Sequence, residues 1–195
     1  ARGSLRIYNH DGALAATIQL PVRASALRSR GTRLVAMPSD FAAHPSPALV
    51  DLQHARLVTN LDGHAGFVFS ARWIDDRLLT TAGDGVLRMW DGSDGRLLQT
   101  FRVYAGYLAD ATMSADGRLL IAGGADGVMR FWDIATGRLL WQLQAHDAAL
   151  VGIQLDGNDI VTRGFSGDLA RWHIPSTEHV IATCGAQSSC ASPSP

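Results

Sequence analysis

The sequence of 195 residues contains no lysine, so arginine supplies all 17 of its basic side chains. A protein kinase needs a lysine that pairs with the nucleotide phosphates, and that residue is absent here. The net charge of −1 excludes a bulk electrostatic attraction to nucleic acid or to an anionic membrane. No apolar run approaches the roughly 20 residues that a membrane-spanning helix needs. The composition, 47% apolar, suits one globular domain with a large core.

Cysteines and catalytic motifs are scarce as well. Cys184 and Cys190 lie near the C-terminal end without metal-site spacing, and the sequence leaves open whether they form a disulfide or stay reduced. No HExxH, GxSxG or glycine-rich phosphate loop is present. Four histidines also lack metal-ligand spacing: His10, His44, His54 and His179. We therefore expect no catalytic residue, no metal and no cofactor.

The sequence does contain a repeated octapeptide. DGVLRMWD at 84–91 returns as DGVMRFWD at 126–133 and, in altered form, as SGDLARWH at 166–173. A repeat of this kind is the first feature to interpret, because a fixed period near 40 residues is typical of repeat architectures.

The last aromatic residue of each copy marks one position of the repeat. Weaker copies, LRIYN and ALVDLQ, extend the series toward the N-terminal end. By sequence, this position falls on Tyr8, Leu52, Trp90, Trp132 and Trp172.

Within a repeat the hydrophobic pattern is that of short strands. VLRMW alternates, with Leu87 and Met89 on one side and Val86, Arg88 and Trp90 on the other. Asp-Gly, a strong hairpin-turn signal, occurs eight times. No window supports a long amphipathic helix, so each repeat is predicted to form about four antiparallel strands.

A four-stranded sheet with two apolar faces cannot cover both of them alone, and radial stacking lets each sheet cover its neighbours. The predicted fold class is therefore an all-β propeller with about four and a half four-stranded blades. We divide the chain into a half blade (4–20), a degenerate blade (22–61), three regular blades (62–103, 104–144 and 145–183) and a flexible tail (184–195). A Pro-rich insert, 38–47, interrupts the degenerate blade, and HVIATC is predicted as the last strand of the last blade.

These motifs resemble the WD40-repeat β-propeller family. The WD dipeptide stands at Trp90-Asp91 and Trp132-Asp133 and becomes Trp172-His173. The Gly-His signature before the first strand stands at Gly63-His64, relaxes to Ala145-His146 and is replaced by Val103-Tyr104.

The resemblance implies a hydrogen-bonded network of His, Ser/Thr, Asp and Trp inside each blade. A His–Asp–Thr set also looks like a catalytic triad, but an active site would be single, whereas this set recurs in another blade. The network is expected on His64, Thr80, Asp84 and Trp90, on Asp126 and Trp132, and on His146, Thr162, Ser166 and Trp172.

The resemblance also bears on ring closure, because family rings most often have seven blades. The sequence begins within a blade, and an open arc would expose a large apolar face. We expect further upstream blades to complete the ring; a second copy of the chain and an unusually small ring are the alternatives.

The family implies a rigid scaffold that binds proteins or peptides. We expect a non-catalytic, cytoplasmic protein-interaction scaffold with no nucleic-acid or membrane partner. The arginine-rich stretch VRASALRSRGTRL is the one local charge anomaly, either a solvated strand or a patch for a partner. Candidate partner-binding residues lie in this stretch and in the loops: Arg28, Arg30, Asp75, Asp76, Arg102 and Tyr107.

Two other functions follow from weaker signals. The tail, with its cysteine pair, loosely resembles the ends of WD-repeat regions fused to bacterial serine/threonine kinases. That resemblance implies the C-terminal sensor or docking region of a larger signalling enzyme. An enzyme in its own right, such as a propeller hydrolase, is disfavoured by the missing motifs.

Overall fold

The structure is a computed structural model that describes residues 3–39, 46–103, 106–157, 159–173, 177–178 and 180–181. Between residues 3 and 173 the described residues form short β-strands. In order they are β1 (Gly3–Tyr8), β2 (Leu14–Leu20), β3 (Ala24–Arg30), β4 (Arg33–Pro38), β5 (Ala48–Asp51), β6 (Arg56–Asn60), β7 (Val68–Ile74), β8 (Arg77–Ala82), β9 (Val86–Asp91), β10 (Leu97–Arg102), β11 (Leu108–Met113), β12 (Leu119–Gly124), β13 (Val128–Asp133), β14 (Leu139–Gln144), β15 (Leu150–Asp156), β16 (Asp159–Gly164) and β17 (Leu169–His173).

The strands form antiparallel sheets that follow one another along the chain, which confirms the predicted fold class. We name the sheets the half blade (β1–β2), the second blade (β3–β6), the third blade (β7–β10), the fourth blade (β11–β14) and the fifth blade (β15–β17). Each strand pairs with the next one in sequence, so every connection within a blade is a hairpin. The first strands of successive blades pack side by side, from β3 to β7 to β11 to β15, and form the inner surface of a propeller arc.

The hairpins depend on the Asp-Gly turns found in the sequence. Gly85 and Gly127 adopt positive φ angles of 67° and 70°, a backbone conformation that a residue with a Cβ atom rarely takes. In both turns the preceding aspartate accepts a hydrogen bond from the amide two residues later, Asp84 from Val86 and Asp126 from Val128. The turn between the second and third strands is therefore fixed by the same dipeptide in two blades.

Apolar side chains fill the spaces between neighbouring blades. Adjacent residues of β8 point to opposite sides, so that Leu78 packs toward Val35 and Leu49 of the second blade while Leu79 packs toward Leu120 of the fourth. The next interface holds another such cluster, in which the rings of Phe131 and Trp141 stack at 4.7 Å. Each internal sheet is thus dry on both faces because a sheet covers it on either side.

One assignment of the repeat position is wrong. Residue pairing places Val50 opposite Leu34, as Trp90 lies opposite Leu78, so Val50 rather than Leu52 takes the tryptophan position in the second blade. Leu52 lies in the turn that follows β5. The period becomes more regular with Val50, because a Val-Asp dipeptide stands where later blades carry Trp-Asp.

The predicted last strand is also wrong where it can be seen. Val180 and Ile181 adopt helical backbone, and Val180 is buried against the apolar cluster between the fourth and fifth blades. The rest of HVIATC, the tail with Cys184 and Cys190, and the centre of the Pro-rich insert with His44 lie outside the described residues. Among the residues described, no helix is long and apolar enough to cross a membrane.

The stacking of the blades predicts different costs for two substitutions at one repeat position. Met129 lies opposite Gly123 and is 0% exposed, whereas Leu169 lies opposite Arg163 on the outward face of the fifth blade and is 70% exposed. Met129→Ala is expected to lower the free energy of unfolding by about 2–5 kcal/mol, because it leaves a cavity between two sheets. Leu169→Ala is expected to change it by less than about 0.5 kcal/mol.

Urea unfolding followed by tryptophan fluorescence measures both variants. Equal losses for Met129→Ala and Leu169→Ala would show that burial between blades does not set the stability.

Candidate interaction site

A hydrogen-bonded chain of four side chains runs through the third blade. His64 Nε2 lies 2.7 Å from Thr80 Oγ1, and the same hydroxyl oxygen accepts a 2.8 Å hydrogen bond from Trp90 Nε1. The other imidazole nitrogen, Nδ1, lies 3.3 Å from Asp84 Oδ1. Thr80 is 0% exposed, so its hydroxyl has no access to a substrate. The geometry therefore favours a structural network over a catalytic triad.

Arg88 adds a charge to this network. Its Nη1 donates a 2.9 Å hydrogen bond to Asp84 Oδ2 and also contacts His64 Nδ1. Burial, followed by the Arg88 guanidinium, lowers the pKa of His64 to about 4, so the imidazole is neutral near pH 7. Burial pushes the pKa of Asp84 upward, but the Ala65 amide and Arg88 outweigh it and hold that pKa below its usual value.

The fifth blade repeats the chain with a different aspartate. His146 Nε2 lies 2.8 Å from Thr162 Oγ1, and Trp172 Nε1 donates to that oxygen at 2.8 Å. The carboxylate beside His146 Nδ1 belongs to Asp168, and Ser166, the residue expected there, donates its hydroxyl proton to the same carboxylate. The alignment by position was wrong because the acidic residue moved two places along the turn.

The fourth blade keeps only part of the set. Ala122 stands where the threonine would be, and Tyr104 lies outside the described residues. Asp126 accepts hydrogen bonds from both Nη atoms of Arg130, the residue equivalent to Arg88. Trp132 is buried and packs its ring near Phe101. The fourth blade thus keeps the Arg–Asp ion pair of the third blade but lacks the threonine hydroxyl that joins the histidine to the tryptophan.

The second blade contains a charged cluster that sequence reasoning missed. Asp51 is 2% exposed and accepts hydrogen bonds from His54 Nδ1 at 2.8 Å and from the Gln53 amide at 3.0 Å, while Arg33 Nη1 lies 2.7 Å from its carboxylate. The His54 hydrogen bond, and then Arg33, hold the pKa of Asp51 well below its usual value. The signal was present in sequence as an aspartate at the WD position followed by a histidine three residues later.

The candidate partner-binding residues do not form one site. Arg102 and Tyr107 lie in or next to the connection between the third and fourth blades, at the end that also carries the 83–85, 125–127 and 165–168 turns, which we call the network end. Arg30, Asp75 and Asp76 lie at the opposite end, where Arg30 Nη2 is 3.9 Å from Asp75 Oδ1.

Aromatic rings, two of them exposed and two half-buried, gather at the network end. The Phe69 and Tyr107 rings lie 5.0 Å apart, and the Phe67 ring lies 5.5 Å from Phe69. Phe69 is 41% exposed, and Phe165, in a turn at the same end, is 77% exposed. Exposed aromatic groups of this kind are enriched in protein interfaces, because they bury large areas with few rotatable bonds. Tyr107 is one of the partner-binding residues predicted from sequence. Phe69 is not among them, because the alternation of the strand does not show which side of the sheet is exposed.

The inner surface of the arc is polar. A cavity of about 680 Å³ lies along β3, β7 and β11 and is lined by Arg28, Phe69, Arg72, Asp110 and Thr112, among others. Arg28 is the one partner-binding candidate that lines this cavity. Trp73 Nε1 donates a 3.0 Å hydrogen bond to the Arg28 carbonyl, which ties the second blade to the third beside the cavity. No group of three or more metal-binding side chains occurs among the described residues.

Stacked four-stranded blades with recurring buried networks define a β-propeller-like repeat protein. Residues 45–177, well over half of the chain, match the family model described as outer membrane protein assembly factor BamB. The chain belongs to that family.

Individual relatives agree on the fold. The chain is 30% identical over 71 residues to guanine nucleotide-binding protein subunit beta-1 of Caenorhabditis briggsae, a match that covers 36% of the chain and 21% of the relative. It is 23% identical to the computationally designed Ika4 protein, with a TM-score of 0.69 over 80% of this chain and 93% of that one. A chain in the crystal structure of a mitotic checkpoint complex gives 17% identity and a TM-score of 0.71, over 88% of this chain and 55% of that one.

Because His64 and Trp90 share the Thr80 hydroxyl, we expect replacement of Thr80 by valine, which has the same shape, to destabilise the third blade. Thr80→Val removes the group that joins His64 Nε2 to the Trp90 indole and leaves both without a partner in a dry site. We expect the free energy of unfolding to fall by about 2–4 kcal/mol, since each buried unpaired group costs about 1–3 kcal/mol. Thr100→Val, at an exposed position of β10, is the matched control and should change it by less than about 0.5 kcal/mol. Chemical denaturation measures the free energy of unfolding of both variants. Comparable losses in Thr80→Val and Thr100→Val would show that the network does not stabilise the blade.

The lowered pKa of His64 predicts a pH dependence of stability. The unfolded imidazole titrates near pH 6.5 and the folded one near 4, so between these values the unfolded chain binds a proton that the folded chain does not. The free energy of unfolding should therefore fall as the pH falls from 6.5 to 4, by up to about 1.4 kcal/mol per pH unit. Denaturation curves at half-unit steps measure this slope. His64→Gln should be less stable overall but should lose most of the slope in this window, and an unchanged slope would rule out His64 as its source.

Proposed function

We propose that the chain is a non-catalytic scaffold that binds a protein partner through the network end of its blades. The observation that carries the proposal is the aromatic cluster of exposed Phe69 with half-buried Phe67 and Tyr107. These rings lie on strands and connections that the stacked blades hold in place, so they form a preorganised surface. A rigid surface with aromatic anchors loses little conformational entropy on binding.

The relatives support this proposal at a coarse level. The family model is named for an assembly factor, and the Caenorhabditis briggsae relative is named as a subunit. Both names refer to proteins that work together with other proteins. Since fold alone does not determine function, the argument for this chain depends on its own exposed residues.

The proposal predicts that partner binding depends on the aromatic cluster. The double variant Phe69→Ser with Tyr107→Ser should lose a partner that the wild-type chain retains in affinity purification, with a loss of at least about tenfold in affinity. Calorimetric titration of the purified partner then measures the loss directly.

Leu97→Ser provides the matched control, because Leu97 is 43% exposed but begins β10 at the opposite end. Circular dichroism and urea unfolding should show that all variants remain folded. A partner lost equally on Leu97→Ser, or retained fully by the double variant, would place the interaction elsewhere.

A further inference from the structure

One register position of the inner strands carries a polar side chain in every blade from the second to the fifth. Residue pairing across the first hairpin of each blade defines this position: it lies opposite Val35, Leu79, Ile121 and Val161 in turn. The residues at this position, which we call the inner polar layer, are Arg28, Arg72, Thr112 and Gln154. All four side chains offer hydrogen-bond donors, and three of them line the 680 Å³ cavity.

The only carboxylate that lines this cavity within the described part of the chain is already fully engaged. Asp110 Oδ1 accepts from Ser70 Oγ and from the Ala111 amide, both at 2.9 Å. Its Oδ2 accepts from Arg72 Nη2 at 2.9 Å and from the Ile153 amide at 3.0 Å. Asp110 is 8% exposed, so four donors saturate a nearly buried carboxylate and Arg72 balances its charge.

Arg72 still has donors to spare. Both of its hydrogen bonds to described residues, to Asp110 Oδ2 and to the Ile153 carbonyl at 3.0 Å, leave from the same nitrogen, Nη2. These bonds hold the guanidinium plane in place across three blades, while its side chain remains 34% exposed. The guanidinium is thus preorganised and can meet a further acceptor.

Arg28 gives the cavity lining a positive charge that no described carboxylate neutralises. Among the described residues it forms no ion pair, and its Nη1 donates only to the neighbouring Leu27 carbonyl, at 3.1 Å. Arg30, two residues along the same strand, differs because Asp75 lies beside it at the opposite end. Two arginines thus line the cavity beside one neutralised carboxylate, so the lining carries one cation that no described carboxylate balances.

We propose that the inner polar layer binds a carboxylate side chain of an acidic peptide segment, held between Arg28 and Arg72. This inference depends on the proposed scaffold function and names the chemistry of the partner. Phe69, which lines the same cavity and belongs to the aromatic cluster, gives an adjoining apolar surface for the residues beside the acidic one. A carboxylate site lined by two arginines next to an aromatic side chain fits a peptide better than it fits a free anion.

A peptide library tests the proposal without knowledge of the natural partner. The probe is an immobilised hexapeptide array in which half of the sequences carry Glu or Asp and the matched half carry Gln or Asn. The wild-type chain should retain acidic sequences at least about tenfold more strongly than their amide counterparts, and Arg28→Gln should abolish this preference. Arg30→Gln, the matched control with the same change of charge on the same strand, should keep it.

Other outcomes would overturn the proposal. Equal retention of acidic and amide peptides, or equal loss of the preference in Arg28→Gln and Arg30→Gln, would exclude an anion site in the inner polar layer. Free glutarate competing as well as the best peptide would show a small-anion site instead of a peptide site. If Arg28→Gln leaves the partner of the aromatic cluster bound with unchanged affinity, and the array shows no acidic preference, the carboxylate site fails while the scaffold function stands.

Discussion

The structure depends on the need of each small sheet to cover two apolar faces. In the third blade, Leu78 and Leu79 are neighbours in sequence, yet they pack against different blades, and both are almost fully buried. No single sheet can achieve this, because the side chains of a strand alternate between its faces. The repeat of about forty residues is therefore a consequence of packing, and each copy of the octapeptide supplies the third strand of one more sheet in the stack.

The polar groups that the blades bury differ from one blade to the next. The third and fifth blades enclose a His–Thr–Trp chain that ends on an aspartate. The fourth blade keeps only the Arg–Asp pair, as Arg130–Asp126, and the second blade buries Asp51 at the other end of the sheet, at the position equivalent to Asp91. Since a buried polar group is costly only while it lacks a partner, any set that satisfies its own donors and acceptors is compatible with the stack. The networks could therefore diverge while the apolar faces kept their pattern.

Sequence reasoning predicted the strands, the hairpins and the radial stacking well, because alternation, Asp-Gly turns and a regular period are local signals. It failed where a single residue had to be assigned to a position of the repeat that only the strand pairing or the turn geometry defines. The weak copy ALVDLQ has no aromatic anchor, so its pattern predicts Leu52 where the structure has Val50. Alignment by position predicts Ser166 where Asp168 contacts the histidine, because the acidic residue lies two places further along the turn. The Asp110–Arg72 contact was not predictable at all, since it joins inner strands of different blades that lie 38 residues apart in sequence. The prediction of a last strand at HVIATC failed for another reason. Val180 is buried between the fourth and fifth blades, and this apolar burial outweighs the β-propensity of the segment.

The inner strands show how a stable repeat leaves room for function. Arg28 and Arg72 take positions whose cross-strand partners, Val35 and Leu79, are fully or almost fully buried core residues. The second strand of each blade thus supplies apolar contacts that hold the stack. The first strand combines buried apolar residues such as Val68 and Leu108 with charged side chains at positions that line the cavity. Asp110 fixes one of the two guanidiniums across three blades, so the position of that charge follows from the stack itself. Packing that the repeat requires for stability therefore also sets the geometry of the surface from which a partner would be recognised.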